Sequence, residues 1–199
     1  DLLILRGDKA KSDKNFKPLE DGNRYALDLQ HQVNRFNEGI FLDGSQLQPA
    51  AAPFSYGVAG YPEKHDEAPN LDSDIYWLKE KVKAGAEYVV TQMFFDNQKY
   101  YDFVNRCRAE GITIPIIPGL KPITLMNQGT VLPKIFHVDI PEDFAKAIRN
   151  CKSDEEVTQV GIDWCTLQAK DLIKNGVPIV HFYSMMATQS VRKVAEAIY

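Results

Sequence analysis

Apolar residues along this chain gather into short continuous runs, and the longer stretches between them carry a helical period. Five runs read as strands, at 2–5, 54–61, 88–95, 114–118 and 177–183, each rich in β-branched or aromatic residues. The segment 71–86 places Ile75, Leu78 and Val82 on one helix face and ends at Gly85. A second helix is expected over 97–110, with Asp96 as N-cap, Tyr100, Phe103, Val104 and Cys107 inward, and Gly111 as the stop. The longest helix opens at the capping box Ser153-Asp154-Glu155-Glu156 and closes at Gly176. Its expected inward stripe is Val157, Val160, Trp164, Leu167 and Leu172. Two stretches break the rhythm: a loop at 41–53 and a proline-bearing segment at 122–141 that forbids one long helix.

Strand alternating with helix implies a parallel sheet, because a parallel neighbour requires a long crossover and a helix is the usual one. The runs are continuously apolar, as strands covered on both faces are. The class is therefore α/β. Pattern alone leaves an open doubly wound sheet and a (β/α)8 barrel both standing, and five strands are too few to close a barrel.

Composition narrows the function classes. The 199 residues fit one domain spanning 1–199. With 44% hydrophobic and 25% charged residues, the chain has the make-up of a soluble protein. No apolar run approaches the roughly 20 residues that cross a bilayer, so no membrane partner is expected. A net charge of −4 with scattered Lys and Arg argues against nucleic acid. Cys107, Cys151 and Cys165 match no metal or redox spacing, and their odd number suits a cytoplasmic protein with reduced thiols and no metal. Asp1 is followed at once by a buried-strand run, which suggests a domain already under way and a missing N-terminal part.

In parallel α/β folds the chemistry collects at the C-terminal ends of strands. Those ends carry Arg6-Gly7-Asp8, Tyr61-Pro62-Glu63-Lys64-His65, Thr91-Gln92, Pro118-Gly119-Leu120-Lys121-Pro122 and His181-Phe182-Tyr183-Ser184. Asp8 is a candidate site acid by position, the alternative being that this turn only pairs Arg6 with a neighbour. Gln92 follows a buried run, so its amide bonds either an adjacent loop or a ligand. His65 is a structural hydrogen bonder or a ligand contact, and nothing at zinc spacing accompanies it. Asp74 and Lys81 share one helix face, which solvation alone would explain. Phe94, Phe95, Tyr100 and Tyr101 read as packing. Phosphate-loop, nucleophile-elbow and zinc-helix motifs are missing.

Taken in order, Leu5-Arg6-Gly7-Asp8, Tyr25-Ala26, Tyr61-Pro62-Glu63 with His65 and Glu67-Ala68, Lys81-Val82 with Ala84-Gly85-Ala86, Thr91-Gln92 with Phe94-Phe95-Asp96, Ile117-Pro118-Gly119 with Pro122, and His181-Phe182-Tyr183 resemble the methylenetetrahydrofolate reductase family of the bacterial, FAD-dependent type. The resemblance implies a (β/α)8 TIM barrel, here a partial one with about strands 4–8 and their helices. It implies FAD, NADH or NADPH as donor, 5,10-methylenetetrahydrofolate as substrate, and a homo-oligomer. By that resemblance Arg6, Gly7, Asp8, Tyr25, Ala26, Tyr61, His65, Ala68, Asp74 and Lys81 line the FAD site. Asp8 and Gln92 are catalytic, and Asp8, Gln92 and Gln128 meet the folate.

Departures accompany these matches. Asp66 stands where many members have proline, and Ala187 where some place an arginine facing the folate. The glutamate acid of the family's first strand has no counterpart here. Rival expectations are a truncated barrel that binds no FAD, and another barrel enzyme using Lys121, the one candidate lysine inside the barrel.

Overall fold

The computed structural model describes residues 1–7, 17, 19–47 and 52–199. Its elements are β1 (Leu2–Ile4), α1 (Ala26–Asn37), β2 (Tyr56–Gly60), α2 (Leu71–Lys83), β3 (Tyr88–Met93), α3 (Asn97–Ala109), β4 (Ile116–Leu120), α4 (Gln128–Phe136), α5 (Glu142–Asn150), α6 (Asp154–Lys174), β5 (His181–Phe182) and α7 (Thr188–Ile198). All five strands are parallel, and their order across the sheet is their order in the chain.

That order decides between the two architectures left open above. Parallel crossovers are right-handed, so a chain that always steps to the next strand in the same direction puts every helix on one face. A doubly wound sheet must reverse its strand order to cover both faces. This sheet never reverses, and the fold is a curled, singly wound portion of a (β/α) barrel. The outward strand residues Ile4, Tyr56, Val58, Val89, Ile116 and Leu120 pack with Ile75, Leu78, Phe103, Cys107, Ile162, Cys165 and Leu172 from the helices. The opposite face is open: Leu3 and Leu5, alternating with the buried Ile4, are 37% and 50% exposed.

A second, smaller core sits at the C-terminal rim. Met93 and Phe95 beyond β3 meet Ile123, Leu132, Val138, Phe144, Ile148 and Val157, so α4 and α5 form an arm over that rim. The segment 122–141 holds no long helix, as expected: it contains the nine-residue α4, which accommodates Pro133 within it, and ends with Pro141 at the N-cap of α5. Gly111 and Gly176 adopt positive φ after α3 and α6, where a side chain would be strained.

Some expectations need correction. The run at 177–183 pairs only through His181 and Phe182. The β4 register is shifted toward the rim, ending at Leu120 rather than 118. Leu167 is 66% exposed and leaves the expected stripe. Val157 and Leu172 are buried as expected and Val160 and Trp164 pack on the rim core, while Gly161, Cys165 and Gln168 complete the buried side of α6, where a Cβ on Gly161 would lie 1.9 Å from Ile123 O.

Candidate functional site

Loops leaving β1 and β2 meet at one rim and build a continuous polar patch. Arg6, two residues beyond β1, pairs with Glu67 at 2.8 Å and lies 5.9 Å from the centroid of the Tyr25 ring. The hydrogen bond from Arg6 holds the Glu67 carboxyl below its ordinary value, and Glu67 in turn raises the guanidinium. Tyr25 itself stands at the N-terminus of α1, where Asp28 accepts its backbone N–H at 2.8 Å. Ala26 is the first residue of that helix and packs against the main core.

Beyond β2, the Tyr61 ring meets His65 edge to face, with centroids 4.7 Å apart. His65 Nδ1 lies 3.1 Å from the Glu67 N–H and 3.1 Å from Asp66 Oδ1. The His65 N–H donates to Asp74 Oδ2 at 3.0 Å, fastening the loop to α2. Lys64 braces the same loop by donating to the carbonyls of His65 and Ala68 at 2.9 and 2.7 Å. Lys81 donates to Ala59 O of β2 at 2.8 Å. Burial raises the Asp74 carboxyl and lowers the Lys81 ammonium, and each charge partly opposes the shift of the other. Asp74 and Lys81 are therefore an electrostatically coupled, half-buried pair, and the solvated-face alternative does not hold.

The patch accordingly gathers Arg6, Tyr25, Ala26, Tyr61, His65, Ala68, Asp74 and Lys81. Gly7 adjoins it, and a Cβ added there meets nothing within 4 Å, so the space beside the backbone is open. Asp8 lies outside the described residues. Gln92 sits on β3, one residue past the Gly60–Thr91 register pair, and is half-buried with its Oε1 accepting the Met93 N–H at 3.0 Å. Gln128 opens α4, where its Oε1 accepts the Thr124 and Leu125 amides at 2.8 and 3.3 Å. In both glutamines the carbonyl serves the backbone, and among the described residues the NH2 group has no hydrogen-bond acceptor. Ala187 is the N-cap of α7.

Next to Gln92, β4 and β5 form a tight floor. Tyr183 lies across Gly119 and donates its hydroxyl to Thr91 O at 2.8 Å, while Gly119 N–H donates to Thr91 Oγ1 at 2.9 Å. His181 stacks edge to face on Tyr183 at 4.7 Å. Lys121 is only 2% exposed, and burial lowers its ammonium, with the Cys165 thiol of α6 opposing. At that burial its amine is sealed from an incoming carbonyl substrate, which removes support from the other-barrel-enzyme expectation.

Sequence reasoning passed over Glu63, quoted only as part of a motif. Its side chain is 9% exposed, and burial pushes its carboxyl up to about 7. The signal that should have flagged it is a carboxylate directly after a buried strand end and a proline.

A family model described as methylenetetrahydrofolate reductase matches residues 1–199. Methylenetetrahydrofolate reductase 1 of Schizosaccharomyces pombe is 34% identical over 199 residues, covering 99% of this chain and 30% of that protein. The 5,10-methylenetetrahydrofolate reductase of Escherichia coli is 37% identical over 140 residues, covering 70% of this chain and 47% of that protein. The chain thus spans between about a third and a half of the relatives it matches. Further relatives carry NADPH or NADH in their names. Among solved structures, a Clostridium thermocellum protein described as binding two copies of 5-methyl-5,6,7,8-tetrahydrofolic acid aligns with a TM-score of 0.51 at 18% identity, covering 74% of this chain and 54% of that one. At that identity the likeness speaks to fold alone.

Proposed function

Because the chain belongs to the methylenetetrahydrofolate reductase family, we propose that residues 1–199 supply strands four to eight of a single catalytic barrel that reduces 5,10-methylenetetrahydrofolate to 5-methyltetrahydrofolate with FAD and a reduced nicotinamide. The observation that carries this reading is the one rim on which Arg6, Tyr61 and His65 from the loops after β1 and β2 converge with Tyr25 at the start of α1 and with Asp74 and Lys81 of α2.

The patch fits a dinucleotide in its chemistry. It offers a guanidinium for phosphate, phenols and an imidazole for ribose hydroxyls, and a Tyr25 ring 54% exposed beside the open space at Gly7. FAD, when bound, supplies hydride transfer from NADH or NADPH to the methylene carbon of the folate. Arg6, Gly7, Tyr25, Ala26, Tyr61, His65, Ala68, Asp74 and Lys81 are assigned to holding it. In that role the His65–Asp74 bond and the Lys64 braces keep the β2–α2 loop in one shape before any ligand arrives, which lowers the ordering cost of binding.

Gln92 and Gln128 are assigned to the folate. Each presents an amide NH2 whose orientation is fixed by a carbonyl already bonded to backbone. Asp8 is assigned a carboxylate beside the flavin and the folate, where it disfavours an anionic reduced ring and stabilises positive charge developing on the folate.

The test is direct. The full-length protein should purify yellow, show flavin absorbance, and oxidise NADH or NADPH with menadione or the folate as acceptor. A colourless protein inert with both nicotinamides would overturn the reading. A second reading, that the 199 residues alone bind no FAD, is favoured by the open inner face at Leu3 and Leu5. For that chain in isolation we expect little flavin retention and no folate turnover, and measurable methylenetetrahydrofolate reduction by it would reject this second reading.

A further inference from the structure

Glu63 stands between Tyr61 and His65 but reaches away from their patch, toward the connector between α4 and α5. Its Oε2 accepts the Asp139 N–H at 3.1 Å and lies 3.7 Å from Lys99 Nζ of α3. Lys99 pairs in turn with the Asp139 carboxylate at 3.1 Å. Three residues on from Glu63, Asp66 lies 3.8 Å from His137 Nε2. His137 caps α4 in the left-handed conformation, φ 54°, and this turn drives Val138 into the rim core while leaving Asp139 over Glu63. The connector is thus pinned on one side by a buried apolar residue and on the other by a carboxylate.

The carboxylate is an odd choice for a purely structural pin. Glu63 Oε1 is buried without a hydrogen-bond partner among the described residues, and a buried carboxylate left partly unsatisfied is worse for stability than a well-packed neutral group. The two segments it joins are the ones given to different ligands above: the loop of His65 and Ala68 to FAD, the arm that begins at Gln128 to the folate.

We propose that Glu63 is a positioning residue, the clasp of a strap that joins the β2–α2 loop to the α4–α5 arm so that the two sides of the site open and close together. The proposal rests on the assignment of these two segments under Proposed function. A clasp whose carboxyl burial raises to about 7, against the opposing pull of the Asp139 N–H and of Lys99, is weakened as it loses its proton, because the opened form lets the group ionise in water. The charged groups around it are Lys64 and Asp66 on its own loop, Asp96 and Lys99 on α3, and His137 and Asp139 on the connector.

Amide hydrogen exchange tests this without any ligand, in the full-length protein, with the Glu63→Gln comparison separating Glu63 from the neighbouring imidazoles of His65 and His137. Between pH 6 and 8, after correction for intrinsic rates, the opening constant of residues 137–141 should rise about tenfold. Residues 64–68 should follow in parallel. Glu63→Gln, which holds the neutral form, should flatten the rise in both segments, and Glu63→Ala should deprotect both at every pH. Deprotection of one segment without the other, or an undiminished rise in Glu63→Gln, overturns the clasp.

In the flavin-loaded enzyme the folate KM should rise over the same pH range, with Glu63→Gln removing the rise and leaving kcat within twofold. A KM profile in Glu63→Gln identical to that of wild type overturns the coupling. Should the wild-type protein hold no flavin, the functional assignment fails, while the exchange measurement still decides whether the two segments are clasped.

Discussion

Replacing Gly119 by Ala is the sharpest probe of the floor beneath Gln92. The glycine has no positive φ, so the backbone itself would accept Ala, and space alone forbids it. The new Cβ would lie 2.3 Å from Thr91 O and 2.6 Å from Tyr183 Cε2. The first obstacle is the backbone of β3, which moves only if the β3–β4 pairing does. Overpacking of this kind costs about 1–3 kcal/mol. Pushing the Tyr183 ring aside also breaks its bond to Thr91 O, worth about 1 kcal/mol. Against these, removing a strand glycine restores roughly 0.5–1 kcal/mol. The balance is a loss of about 2–3 kcal/mol. Tyr183→Phe, which deletes only the hydroxyl, should lose about 1 kcal/mol. Urea unfolding followed by far-ultraviolet circular dichroism measures all three proteins. If Gly119→Ala unfolds within 0.5 kcal/mol of wild type, the β3–β4 spacing is not held as described. Because Thr91 precedes Gln92, Gly119→Ala should also raise the folate KM more than Tyr183→Phe does.

Three further outcomes follow from the same geometry. Gly161→Ala sets a Cβ 1.9 Å from Ile123 O, an overlap that should outweigh the roughly 1 kcal/mol helix-propensity gain and lower the melting temperature; an unchanged or higher value would refute the contact. Lys81→Met keeps the stem but strips the ammonium from Ala59 O and from Asp74, so the Asp74 carboxyl, already raised by burial, should climb further in a carboxyl titration by NMR. For Glu63 the folded-state value is raised, so the folded chain holds the proton longer than the unfolded one. Stability should therefore fall as pH rises from 4.5 to about 7, by at most about 3 kcal/mol. Asp139, held low chiefly by Lys99, acts in the opposite sense and only at more acid pH. Melting curves from pH 5 to 8 should show a falling trend in wild type that Glu63→Gln lacks.

The α/β class and three helices could be read from the chain because their determinants are local. The Asp96 cap, the Ser153 capping box, a glycine stop and an inward period at Ile75, Leu78, Phe103 and Cys107 need no knowledge of the rest. Strand order was not legible from pattern, since handedness of crossovers decides it only once neighbours are known. The helix α1 was passed over for a related reason. Its most buried position is Gln30, a polar residue that donates to Lys81 O, so the apolar period there is broken by a tertiary bond. At the site, the ordered motifs pointed to the residues that the patch brings together. They could not reveal that Arg6 is already paired, that Gln92 and Gln128 spend their carbonyls on backbone, or that Glu63 reaches the connector, 76 residues away in sequence.

Matching spatial and chain order in the sheet has a consequence for how the molecule comes into being. Each strand finds its partner in the unit made just before it, so no strand must wait for one beyond its neighbour in the chain. Assembly can then proceed like a zip, one strand–helix unit seating on the last as synthesis continues. The final tooth, the two-residue β5 followed by Tyr183 N–H donating to Leu120 O, is the shortest of the described strands, so unravelling should begin there and run backwards toward β1.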